Sequence, residues 1–140
     1  MKNYVILILL GLIYSVTIFC EDLAIVVNPT NGQTSISVNM LKQIILGDKK
    51  RWDNGKHIVI FLPPKDSVER KMIDNKVMGM SAADFEKFIA DEKIRGNIIA
   101  PPKEMEADKI KSFIAQVPNA IGIIPVSKVD ATVKKVGDIK

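Results

Sequence analysis

Short apolar runs separated by amphipathic segments constrain the fold of this chain more than any other feature. Residues 23–28, 57–62 and 120–124 are rich in β-branched side chains and are bounded by turn formers. Runs of this length and composition are typical of buried strands. A fourth short strand is predicted over residues 132–136. Strands that alternate with helices predict an α/β fold, with a small mostly parallel sheet flanked by helices.

Amphipathic helices are predicted in the intervals between these strands. The first three begin at residues that suit an N-cap, with the choice open between Ser35 and Ser37, then between Asp66 and Ser67, and with Ser81 for the third. A fourth helix is predicted near residues 104–117, where apolar residues recur at helical spacing. About 120 residues of this kind make one domain with one modest core.

The first twenty residues predict where the protein works. Lys2 is the only charge before Glu21, and residues 4–14 are dominated by Val, Ile and Leu. This pattern is typical of a secretory signal and predicts an exported protein with a signal peptide at 1–20 and one domain at 21–140. A retained membrane anchor is the alternative. Cys20, the only cysteine, also stands where a lipoprotein carries its acylated residue, which would tether the domain to a membrane.

Composition argues against several classes of function. From Glu21 onward 19 basic residues (20 minus Lys2) face 16 acidic ones, and the charges are interspersed. The basic run at residues 49–51 is too short for a nucleic-acid footprint. His57 is the only histidine, and no Gly-rich phosphate loop is present. We therefore expect no enzyme, no metal, no cofactor and no nucleic-acid partner.

Anion binding at helix starts is the better chemical prospect. A helix N-terminus offers unpaired N–H groups and the positive end of a dipole. Thr34 and Ser35 precede the first predicted helix, and Ser67 precedes the second. Their hydroxyls are candidate donors to an anion. Capping of their own helices is the competing interpretation.

Several blocks resemble the phosphate-type periplasmic substrate-binding proteins of ABC transporters. They are LAIVVNPTN, LKQIILGDKKRWDNG, HIVIFLPPKDSVERKMIDNKVMG and NAIGIIPVSKVD, with Ile-Leu-Gly-x-x-x-x-Trp (residues 45–52) the most specific element and Ala-Ile-Gly (120–122) the second. The resemblance implies a type II binding-protein fold of which this chain is one lobe. It also implies a periplasmic location, a small oxyanion such as phosphate as ligand and an ABC permease as partner.

The chain departs from the family's pattern in two ways. Residues 21–140 make little more than one of the two lobes that close on the ligand in full-length members. Where the family has a Ser-Gly-Thr type anion loop, this chain reads Lys-Asp-Ser-Val-Glu at 65–69, and only Ser67 survives. The predicted ligand residues are therefore Thr34, Ser35 and Ser67.

A ligand-free interaction or accessory module of an envelope assembly is the alternative function. In that hypothesis the lobe has lost its ligand and binds an envelope protein instead. A homodimer, in which two copies mimic two lobes, is a further partner hypothesis motivated by the single lobe.

Signal cleavage is directly testable. Because charge returns abruptly at Glu21, we expect the protein isolated after export to begin near that residue and to contain no thiol. Intact-mass measurement and thiol titration check this. A mass that retains residues 1–20, or one that carries an acyl group on Cys20, would show a membrane tether instead.

Overall fold

A computed structural model describes residues 21–98 and 100–140. Its strands are β1 (Leu23–Val27), β2 (Val59–Leu62), β3 (Lys103–Glu104), β4 (Ala120–Pro125) and β5 (Lys134–Ile139). Its helices are α1 (Val38–Ile45), α2 (Val68–Ile73), α3 (Ala82–Ile94) and α4 (Ala107–Gln116). A π-helical turn, Asp74–Met78, continues α2, and a 3-10 turn covers Val126–Lys128. The predicted signal segment and Cys20 lie outside the described residues.

The five strands form one sheet in the order β3-β2-β4-β1-β5. β2 is parallel to β3 and β4, whereas β1 is antiparallel to β4 and β5. The predicted α/β class with flanking helices is confirmed, and the sheet is mixed rather than mostly parallel. β1 and β4 are buried along their whole lengths. A strand buried on both faces is a continuous apolar run in either direction, so its residue pattern does not reveal its orientation.

Helices pack on both faces of the sheet and create two apolar layers. Alternate residues of β1 divide between them, because successive side chains of a strand point to opposite faces. Leu23, Ile25 and Val27 join the layer beneath α1, α2 and α3. Ala24 and Val26 pack against Ile110 and Ile114 of α4. No helix within residues 21–98 and 100–140 has the length and apolar character needed to cross a bilayer.

Serine side chains start three of the helices. Ser37, Ser67 and Ser81 each accept a hydrogen bond, 3.1 Å long, from the backbone N–H three residues later. The choice left open between Ser35 and Ser37 is thus resolved for Ser37, and that between Asp66 and Ser67 for Ser67. These bonds satisfy one of the unpaired N–H groups in the first turn of each helix.

Some predicted boundaries differ from the structure. The last strand, predicted over 132–136, covers Lys134–Ile139, and the fourth helix, predicted near 104–117, covers Ala107–Gln116. β3 was not predicted, because two exposed charged residues carry no strand pattern. The apolar side of α3 is only partly covered. Phe85 is buried, whereas Phe88 and Ile89 are half-buried.

The Ile-Leu-Gly-x-x-x-x-Trp block forms the connection from α1 toward β2. Gly47 adopts φ 81°, a left-handed conformation that favours glycine and ends the helix. Trp52 is 4% exposed, and its indole N–H donates to the carbonyl oxygen of Asn119 at 2.9 Å. The indole therefore packs into the core at the sheet, as expected for a structural tryptophan.

Gly122 of β4 allows α4 to approach the sheet closely. A Cβ at this position would lie 2.6 Å from Ile110 Cγ2 and 3.2 Å from Ile114 Cδ1. Both isoleucines are fully buried. The glycine of the Ala-Ile-Gly block is thus required by the close packing of α4 on the sheet.

Replacing Gly122 tests this packing. We expect Gly122→Ala to lower the free energy of unfolding by about 1–3 kcal/mol, because a methyl group overpacks a close contact. Gly32→Ala is the matched control, since a Cβ at Gly32 meets nothing within 4 Å, and its cost should stay within about 0.5 kcal/mol. Chemical denaturation of the two variants provides the comparison. Equal stabilities would contradict the close approach.

Candidate functional site

A buried asparagine holds the loop between β1 and α1. Asn28 is 5% exposed, and its side-chain oxygen accepts hydrogen bonds from the N–H and hydroxyl of Thr30 at 2.9 and 2.6 Å. Its side-chain nitrogen donates to the carbonyl oxygens of Ile114 and Ala115 at 2.9 and 3.0 Å. The loop is therefore anchored to the end of α4. Asn28 is the last residue of the first predicted strand run, and its Asn-Pro context does not indicate this role.

Thr34 and Ser35 lie farther along the same loop, on the surface. Both residues are exposed. The next residue, Ile36, donates its N–H to the carbonyl oxygen of Val136 at 2.7 Å, so this segment runs beside β5. Lys134 of β5 donates from its ammonium group to the carbonyl oxygen of Asn31. Two hydroxyls and one cation therefore belong to the surroundings of this loop.

The hydroxyl of Ser67 is already engaged on both sides. It donates to the carbonyl oxygen of Pro64 at 2.6 Å and accepts from the N–H of Arg70 at 3.1 Å. Ser67 is thus the N-cap of α2, as its competing interpretation held. A ligand that used this hydroxyl as donor would have to replace the bond to Pro64.

The fold separates Ser67 from the other two candidates. α2 begins beside β3, where Arg70 Nη1 contacts Glu104 Oε1 at 2.9 Å, whereas Thr34 and Ser35 precede Ile36 beside β5. β3 and β5 are the two edges of the five-stranded sheet. Four strand spacings amount to about 19 Å. The consecutive residues Thr34 and Ser35 therefore lie at one edge of the sheet, and Ser67 lies at the opposite edge.

Arg70, three residues after Ser67, is a buried arginine whose charge is compensated. Arg70 is 1% exposed, and its Nε lies 3.2 Å from Asp74 Oδ1. Nη1 contacts Glu104, and the guanidinium carbon lies 4.9 Å from the centre of the Phe85 ring. Two carboxylates around one guanidinium leave no net positive charge for an anion. Sequence reasoning missed Arg70, whose i,i+4 spacing to Asp74 was the available signal.

A lysine before α2 and a lysine on α4 are also paired with carboxylates. The carboxylate of Glu86 raises the pKa of Lys65, in the loop before α2, through a contact of 3.3 Å. On the α4 side, hydrogen bonds from Lys111 and Thr132 lower the pKa of Asp130 to about 2. Lysines that hold carboxylates in this way are poor anchors for a further anion.

The described residues contain no cluster of three or more histidine, cysteine or carboxylate side chains that could hold a metal ion. His57 is exposed and forms an isolated antiparallel bridge with Arg51 through the backbone. Its place next to β2 is that of a strand-edge residue.

Three of the cavities on the described surface are lined by residues other than Thr34, Ser35 and Ser67. The first, of about 260 Å³, lies between α1 and β2. The second, of about 640 Å³, adjoins it between the end of α1 and α3. The third, of about 240 Å³, lies between α3 and the Pro101-Pro102 segment, beside Arg70.

The fold is similar to that of solved phosphate-binding proteins. A putative phosphate ABC transporter substrate-binding protein from Clostridium perfringens, solved with bound phosphate, matches 83% of this chain and 44% of its own with a TM-score of 0.66 and 21% identity. An ABC-type phosphate transport receptor from Vibrio cholerae matches 83% and 45% with a TM-score of 0.63 and 19% identity. PstS from Borrelia burgdorferi matches 84% and 47% with a TM-score of 0.63 and 13% identity.

These likenesses confirm, at the level of fold, the resemblance drawn from the sequence blocks. The chain spans less than half the length of each of these three structures. No family model and no curated protein matches the sequence.

The buried Arg70 cluster can be tested by substitution. We expect Arg70→Gln to lower the free energy of unfolding by about 3 kcal/mol or more, because it leaves the buried carboxylate of Asp74 without its partner. Arg95→Gln is the matched control, since Arg95 is exposed and pairs with the half-buried Glu92 at 3.3 Å, a surface interaction worth about 1 kcal/mol or less. Urea unfolding measures both. Similar losses would contradict the role of burial.

Proposed function

We propose that this chain is an exported, non-enzymatic binding-protein-like domain that holds a small oxyanion such as phosphate for an ABC importer. The observation that best supports the proposal is the fold. Most of the chain matches part of proteins described as phosphate receptors of ABC transporters, one of which was solved with phosphate bound. An ABC permease is the partner that this function requires. The apolar run in residues 1–20 supports export.

Thr34 and Ser35 are the ligand residues that we propose first. Their hydroxyls are exposed, they lie close to the N-terminus of the eight-residue α1, and the Lys134 ammonium group contacts their loop. Hydroxyl donors, a helix dipole and a cation each favour an anion. Ser67 is a secondary candidate, because its hydroxyl contributes only after releasing Pro64.

A ligand-free interaction or accessory module of an envelope assembly is the second candidate function. The observation that favours it is the state of the second helix start. The Ser67 hydroxyl is used locally and the Arg70 charge is balanced by carboxylates. On this account the domain binds an envelope protein or a second copy of itself.

Calorimetry with phosphate and sulfate tests the first candidate, on protein produced from the full chain. We expect saturable binding that weakens about tenfold or more in the double variant Thr34→Val, Ser35→Ala, because two hydrogen bonds to a charged ligand are lost. Ser67→Ala should change the affinity no more than about threefold, since its donor is already used.

Ser112→Ala is the matched control, because Ser112 is an exposed serine on α4, across the sheet from α1, and should leave binding unchanged. Binding that is insensitive to the double variant would place the oxyanion elsewhere. An absence of heat with both anions, from protein whose fold is intact by circular dichroism, would favour the interaction module.

A further inference from the structure

We propose that the cavity between α1 and β2 binds a small amphipathic carboxylic acid. This site is separate from the helix starts considered for an oxyanion. It lies at the edge of the sheet, because β3 pairs with Phe61 and Leu62 and no strand among the described residues pairs with the first half of β2 on that side. Val59 and Ile60 are consecutive and point to opposite faces of the sheet, yet both line the cavity. The cavity therefore opens on the strand edge itself.

The interior of the cavity is apolar. Ile44 of α1, together with Ile58 and Ile98, is 1–8% exposed, and Val59 and Ile60 are half-buried. A volume of about 260 Å³ is close to the lower end of the range of small-molecule pockets, which starts at roughly 300 Å³. These walls suit a short hydrocarbon chain or a single ring, whose removal from water drives binding.

The rim of the cavity is basic. Lys49, Lys50 and His57 line it, and none of the described lining residues is acidic. Lys49 forms an ion pair with Asp53 at 3.5 Å. Lys50 is exposed and forms no ion pair within residues 21–98 and 100–140. An apolar interior with a cationic rim is complementary to one anionic group on an apolar body.

Backbone contacts hold this rim in place. The N–H of Ile58 donates to the carbonyl oxygen of Lys50 at 3.0 Å, and Arg51 bridges His57. The basic segment is thereby fixed along the start of β2. The adjoining depression, which Lys50 also lines, contains the carboxylates of Asp48 and Glu92. The ligand's anionic group is therefore expected on the side of Lys50 that lines the apolar cavity, with its apolar part directed toward Ile60.

Hexanoate and hexan-1-ol are the probes, because they share an apolar chain and differ in charge. Isotope-labelled protein from the full chain is titrated with each, and backbone amide shifts are followed by NMR. We expect saturable shifts at Gly47, Ile58 and Ile60, and weaker binding of the alcohol. Lys50→Glu should weaken the affinity for hexanoate by about fivefold or more, because a surface cation that attracts the carboxylate is replaced by an anion that repels it. The affinity for hexan-1-ol should change by no more than about twofold.

Lys109→Glu is the matched control, since it makes the same change of net charge on exposed α4 and should leave hexanoate binding unaltered. Equal affinities for the two probes, or no effect of Lys50→Glu, would overturn the proposal, as would shifts that do not saturate. Shifts at the same amides on changing protein concentration alone would assign the cavity to a second copy of the chain. Inorganic phosphate should not compete, which separates this outcome from that of the oxyanion test.

Discussion

The antiparallel pairing of β1 with β4 determines where the loops of this domain can meet. β1 is buried along its length and lies between β4 and β5, while β2 runs parallel to β4 on the other side. The chain therefore leaves β1 and β2 at opposite ends of the sheet. The helices that follow begin beside opposite edges. A ligand of phosphate size cannot contact both helix starts, because the width of the sheet separates them.

Local hydrogen bonding and ion pairing further limit what the second helix start can do. Ser67 completes the first turn of α2, and Arg70 fastens that turn to β3 through Glu104. Burial makes such a pair costly to break, even though a buried ion pair is weak evidence for stability as such. Ser67 and Arg70 are therefore better explained as the residues that attach α2 to the edge strand β3, a contact called here the Arg70 joint. A fold shared with phosphate receptors does not by itself carry their ligand chemistry.

Charge is distributed unevenly between this joint and the edge of β2. Arg70 forms ion pairs with Asp74 and Glu104, whereas Lys50 forms no ion pair with a carboxylate among the described residues. The short β3 leaves an apolar gap beside that lysine. An edge strand of two residues, which the sequence did not predict, thus leaves room for the cavity that we propose as a ligand site.

The order of strands and helices was largely predictable from the sequence. β-branched apolar runs, serine caps and glycine stops depend on neighbours within a few residues, and those interactions act wherever the segment lies. The helix–glycine–tryptophan block and the Ala-Ile-Gly block also indicated the right fold. The predicted ligand residues remain a prediction, because ligand chemistry depends on which hydroxyls are left free after folding.

The sequence alone determined the α/β class and the apolar strands of this protein, and the helix starts to within a few residues, since each arises from local propensity and burial. The tertiary structure decided strand direction, the separation of Ser67 from Thr34 and Ser35, the Arg70 joint and the gap beside β3. These features depend on hydrogen bonds between strands far apart in the chain. An apolar run buried on both faces pairs equally well in either direction, so only the assembled sheet shows which one it takes.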